Sequence, residues 1–166
     1  ATYANVNLLA HWLNFKKKEI RLDLVEALIV KLDIPMISLA VMDGPFTNLV
    51  PTGQKNIFTL VHISESILHR FVPEDGLIPS DLKKISRYKS IINKSCSWFP
   101  VLKHCELVES RYVFRSVNAF REHDDARPSD IINHGFGCWS VMGGKILNSV
   151  KISKDIRKKI KSHMLF

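Results

Sequence analysis

The clearest pattern along the chain is the alternation over residues 56–63 (NIFTLVHI). Ile57, Thr59, Val61 and Ile63 fall on one side, and Phe58, Leu60 and His62 on the other. A period of two predicts a β-strand. Residues 36–41 and 47–50 are also extended in character, and Asp43-Gly44-Pro45-Phe46 and Pro51-Thr52-Gly53 are turn signals beside them. Three strands joined by short turns predict an antiparallel meander. The earlier run RLDLVEALIVKLD sets Leu22, Leu24, Ala27/Leu28 and Val30 against Asp23, Glu26 and Lys31. It fits a strand or a helix, and its β-branched end followed by Ile34-Pro35 favours the strand. At the start of the chain Thr2, Tyr3 and Val6 favour extended structure, with Asn5 and Asn7 predicting a turn after it. Ser80-Asp81 predicts the cap of a helix running from Leu82 towards Lys94, with Leu82, Ile85, Ile91 and Ile92 as its apolar positions. Trp98-Phe99-Pro100 ends it, residues 101–106 read as a short helix or turn, and residues 107–117 (LVESRYVFRSV) read as a strand.

Residues 134–149, HGFGCWSVMGGKILNS, read as a strand, a glycine turn and the start of a helix. Gly143 and Gly144 permit a tight turn and close approach of the backbone to a ligand. Ile146, Leu147 and Val150 follow at helical spacing, which puts Lys145 in the first helical turn. Unpaired N–H groups and the helix dipole suit an anion or an electron-rich ring edge there, and Lys145 adds a full charge. The plainer reading is a glycine-rich β–α connection with a solvated lysine.

The chain has 166 residues and ordinary globular composition, 46% hydrophobic and 24% charged. Its net charge of +8 invites a nucleic-acid reading. The excess, however, sits in one late segment with Lys151, Lys154, Arg157, Lys158, Lys159 and Lys161. No zinc-finger spacing or RNA-recognition signature accompanies it, so a solvated helical face is expected rather than a nucleic-acid interface. Cys96, Cys105 and Cys138 show no CxxC spacing. Neither a disulfide framework nor a metal site is expected, and a reducing, cytoplasmic setting is. No apolar run approaches a membrane span and no signal peptide is visible, so no membrane partner is expected.

Several separated segments agree on one family. They are ATYAN at residues 1–5, the sheet with its DGPF and PTG turns, VFRSVNA carrying Arg115, and HGFGCWSVMGGK. Together they resemble the C-terminal part of FAD-dependent oxidoreductases of the D-amino-acid oxidase and glycerol-3-phosphate dehydrogenase type, over nearly the whole chain. In those proteins the chain leaves an FAD-binding domain, builds a β-sheet substrate domain, and returns. The resemblance implies an α+β fold: a mainly antiparallel substrate sheet with flanking helices, plus a returning strand-turn-helix piece of an FAD-binding Rossmann-like domain. Residues 1–9 would end an FAD-domain strand, residues 10–127 would form the substrate domain, and residues 128–166 would return to the FAD domain.

FAD is the implied cofactor. Gly143-Gly144-Lys145 is the most specific element, because dehydrogenase relatives carry this tripeptide at the start of their last FAD-contacting helix. Ala1-Thr2 is similar to the Ala-Thr-Gly strand end near the flavin, with Tyr3 where the glycine would stand. Thr2, Gly143, Gly144, Lys145 and Ile146 are thus cofactor-binding candidates, together with His134 and Gly135. The sequence holds no G-x-G-x-x-G turn for the pyrophosphate. The chain is therefore expected to be completed by an N-terminal half or a partner chain, and to bind FAD poorly by itself.

In the resembled enzymes a hydride leaves a C–H next to a hydroxyl or amine of a small substrate and reaches flavin N5. Lys145, with the N–H groups of Gly144 and Ile146, is suited to the negative charge that builds near flavin N1. Arg115 and His62 are the catalytic candidates. Arg115 reads as a clamp for a substrate carboxylate or phosphate, or as a structural ion pair with Glu109, Glu122 or Asp124. His62 reads as a base or donor facing substrate, or as a satisfied structural histidine. Trp139 reads as packing beneath the cofactor. Two rival classes remain: a basic module binding nucleic acid or an acidic partner, and a non-catalytic subunit completing a partner's fold.

Overall fold

The computed structural model describes residues 3–42, 46–119, 129–142 and 148–163. The chain divides into two compact units. One comprises Leu22–Phe71 and Pro79–Arg115, and the other Ala1–Arg21, Val72–Ile78 and Ser116–Phe166.

The first unit is the sheet, and its class is α+β and mainly antiparallel. Strand β1 (Ile20–Lys31) is followed by β2 (Leu39–Ala40), β3 (Thr47–Pro51), β4 (Ile57–His62) and β5 (Ile67–Phe71), and β6 (Glu106–Asn118) comes later. The order is β2-β3-β4-β1-β5, with β6 also paired to β1. The expected meander is present: β2 pairs β3 and β3 pairs β4, both antiparallel. Strand β2 is shorter than the apolar run, because a tight turn, with the Ile37 N–H donating to the Pro35 carbonyl at 2.8 Å, occupies its start. Strand β5 carries too short a pattern to have been anticipated.

The inward face of the sheet carries Leu28 and Val30 from β1, Leu49 from β3, and Phe58 and Leu60 from β4, all fully buried. Leu32, Leu102 and Ile91 complete the cluster. Ile91 belongs to helix α2 (Tyr88–Ser95), and Leu102 to a 3-10 turn at Pro100–His104. The expected helix from Leu82 is thus corrected to a shorter one. Its start is set by tertiary contact: the Arg87 N–H donates to Glu26 Oε2 at 2.7 Å and the Ser86 hydroxyl to Glu26 Oε1 at 2.5 Å. Ser80-Asp81 makes no cap, and Ile85 is 71% exposed.

The second unit joins the two ends of the chain. A 3-10 turn (Tyr3–Asn5) runs into helix α1 (Val6–Trp12), which replaces the expected strand end and turn. Leu8, Leu9 and Ala10 are good helix formers. Asn7 is buried and pairs across the chain with both backbone groups of Lys18, donating from Nδ2 at 2.7 Å and accepting at Oδ1 at 2.8 Å. Gly76 ends a 3-10 turn against α1 with φ +75°. A side chain there would come within 2.4 Å of the Asn7 and Leu8 backbone, so only glycine fits.

Strands β7 (Asp130–Gly135) and β8 (Cys138–Met142) form an antiparallel hairpin, and helix α3 (Ser149–His163) follows. The expected strand before the glycines is present as β8. Of the preceding HGFG, His134 and Gly135 end β7 and Phe136-Gly137 form the turn, with Gly135, Phe136 and Gly137 all at positive φ. Asp43, Arg127, Pro128 and the span 143–147 lie outside the described residues.

Candidate functional site

The unit built from the chain ends contains a cavity of about 560 Å³. One wall is α1, with Val6, Leu9, Ala10 and Leu13. The opposite wall is the hairpin, with His134 and residues 139–142, and Phe15, Lys16, Lys18 and Ser116 close the rest. The apolar wall follows from the spacing of α1, where positions three and four apart share a face. A mostly apolar concavity with a few fixed polar groups is the common form of a small-molecule site.

The polar groups are held from behind. The His134 ring stacks on Phe15, with centroids 4.4 Å apart and planes 10° off parallel. Its Nε2 lies 2.9 Å from the Ser140 hydroxyl. Lys18 is anchored through its backbone by Asn7, and its ammonium pairs with Asp130 at 2.5 Å. The Lys18 side chain is only 5% exposed, so the charge is neutralised where it is buried. The cavity thus combines an apolar helix face with a stacked aromatic pair and a neutralised cation.

Of the cofactor candidates, His134 lines this cavity. Gly135 stands at the hairpin tip, with open space where a side chain would be. Thr2, Gly143, Gly144, Lys145 and Ile146 lie outside the described residues. Trp139 lines the cavity as well. The sequence does not point to Phe15 or Lys18 as site residues, whereas Asp130 ends the stretch Arg127-Pro128-Ser129-Asp130, which reads either as positioning the cofactor side of the return strand or as an ordinary surface loop. The run LNFKKKE gives no sign that one of its lysines turns inward.

The two catalytic candidates belong to the sheet unit. Arg115 on β6 donates from Nη2 to Asp23 Oδ2 on β1 at 2.5 Å, and the Asp23 side chain is fully buried. The ion pair is with Asp23; Glu109 pairs with Arg111, and Glu122 and Asp124 lie outside the described residues. Glu26, also fully buried, accepts the Ser86 and Ser110 hydroxyls and the Arg87 N–H. The sequence pattern puts both acids on a polar face of β1. The register shift between Leu24 and Val25 interrupts the alternation, and residues 22–26 are buried without a break.

His62 is buried on the Phe58–Leu60 side of β4, as the alternation predicts. The Glu65 N–H points to its Nδ1 at 3.4 Å and the Ser64 hydroxyl lies 3.2 Å from the same atom. That is a turn-closing, structural placement. Burial lowers the His62 pKa from 6.5; nearby Glu65 opposes this and Lys94 adds to it. The unfolded chain thus takes up a proton before the folded one as pH falls, so stability falls as pH drops below 6.5. Urea midpoints measured between about pH 7.5 and about pH 5.5 should show this loss, and His62→Gln should flatten it. An identical slope in the variant would remove His62 as the cause.

Cys96, Cys105 and Cys138 carry free thiols, and burial pushes the Cys105 thiol up. Among the described residues no group of three His, Cys, Asp or Glu side chains is placed to hold a metal ion, and no helix is long and apolar enough to cross a membrane. No protein-family profile matches the sequence, and comparison with curated proteins and with solved structures finds no match.

Proposed function

We propose that this chain is part of an FAD-dependent oxidoreductase acting on a small hydroxyl- or amine-bearing substrate. One observation carries the reading. Helix α1, which follows directly on ATYAN, and His134 with residues 139–142 of the HGFGCWSVM stretch line one cavity. The division of the chain also supports it, since both ends contribute to one unit while the sheet is built from the middle.

The residues fit the ring end of the cofactor. Phe15 and His134 stack on one another at the cavity, and α1 lines it with apolar side chains. Ser140 fixes the imidazole, and Asp130 keeps the buried Lys18 charge balanced. When bound, flavin would supply the acceptor for hydride. The pyrophosphate turn is not in this sequence and would come from a further stretch or a partner chain. In this reading Arg115 acts through the fold, as the partner of Asp23.

The test is the natively purified protein, in whatever assembly it forms. It is expected to be yellow and to release flavin on denaturation, and His134→Ala should shift the visible band of the bound flavin. A colourless preparation that leaves flavin fluorescence unchanged on titration, when the further stretch or partner chain that supplies the pyrophosphate turn is present, sinks the proposal.

A further inference from the structure

Helix α3 carries six cations against one acid, Asp155, and so holds most of the excess charge of the chain. At 3.6 residues per turn they are not spread evenly. Ile152 and Ile156 fall on one stripe; Ile152 is buried and Ile156 half-buried, so this stripe faces the protein. Lys151, Lys154, Arg157, Lys158 and Lys161 fall together on the outer side, all exposed, over about 15 Å of helix. Asp155 lies off that face and is half-buried. Val150 lies within the cationic face and is 64% exposed.

Independently of the flavin reading, we propose that this face of α3 lies along anionic lipid surfaces. Clusters of four to eight cations on an amphipathic helix are attracted to such headgroups. The face favours lipid over nucleic acid in three ways. It has no aromatic side chain on which a base could stack. Four of its five cations are lysines, compact point charges suited to a diffuse anionic surface, and only Arg157 offers a two-pronged contact. Val150, which stands in water at a cost, gains by reaching the headgroup boundary. Binding of α3 to lipid departs from the expectation of no membrane partner, whose grounds are the lack of a long apolar run and of a visible signal peptide; lying on a surface needs neither.

The experiment is co-sedimentation of the purified full chain with phosphatidylcholine vesicles, with and without phosphatidylserine. Binding is expected only with the anionic lipid and should weaken steeply with salt. Each cation near such a surface is worth about fivefold in partitioning, so Lys154→Ala with Lys158→Ala should lower it about 30-fold. Both side chains are exposed, so an unchanged circular dichroism spectrum is expected to accompany that loss. Equal binding to neutral vesicles, no binding to anionic ones, or an unaffected double variant overturns the proposal. Tighter binding to duplex DNA or RNA than to anionic vesicles at the same salt overturns it in favour of nucleic acid.

Discussion

Arg115→Met is expected to lower the stability of the protein by about 3 kcal/mol, the low end of the range for removing one partner of a buried ion pair, because the Arg115 side chain is 27% exposed and Asp23 keeps a further contact. The variant leaves Asp23 fully buried without the guanidinium that now lies 2.5 Å away. Desolvation then works against the carboxylate with much less to offset it. Arg115→Met combined with Asp23→Leu should recover at least half of the loss, since an apolar pair of similar volume avoids the buried charge. Urea unfolding of the two single variants and the double variant measures the coupling directly. If Arg115→Met unfolds at the same midpoint as the parent, the fold does not depend on the guanidinium, and the substrate-clamp reading of Arg115 returns.

Phe58→Ala is expected to cost about 3–5 kcal/mol, for a different reason. Phe58 is the largest of the fully buried side chains and stands opposite Val30 of β1 and Pro51 of β3. Its removal leaves a cavity beneath Ile91 and Leu102 that rigid strands on both sides cannot fill. Phe58→Leu, which keeps most of the volume, should cost less than half as much. The midpoint of unfolding should fall with the denaturant slope unchanged. A small effect of Phe58→Ala would mean that the cluster is not the stabilising core.

Strand β4 was legible because a half-buried strand writes its period into the sequence. Phe58, Leu60 and His62 are buried on the side that alternation assigned to them. The meander was legible because turn residues separate its apolar runs. Other elements depend on partners distant in sequence. The start of α2 is set by Glu26, sixty residues earlier, and no local signal could move it from Ser80-Asp81 to Arg87. Asn5 and Asn7 suit a turn as well as a helix start, and what decides for α1 is the pairing of Asn7 with the Lys18 backbone. Within the cavity, His134 could be singled out from its place beside the glycines. Its stacking partner Phe15 stands 119 residues away, which no periodicity reports.

The division of the chain has a kinetic consequence. The sheet unit draws on the middle of the sequence, so its pairings can begin while the end is still being synthesised. The cavity-bearing unit cannot close until residues 116–166 have been made, because one wall belongs to α1 and the other to β7 and β8. Joining those walls in an unfolded chain carries the loop-closure entropy of everything between them, and prior folding of the sheet shortens that loop. Any ligand of the cavity therefore meets its site only after residues 134–142 have joined α1, and until then the apolar face of α1 lacks that wall. Apolar surface left open in that interval is exposed to aggregation.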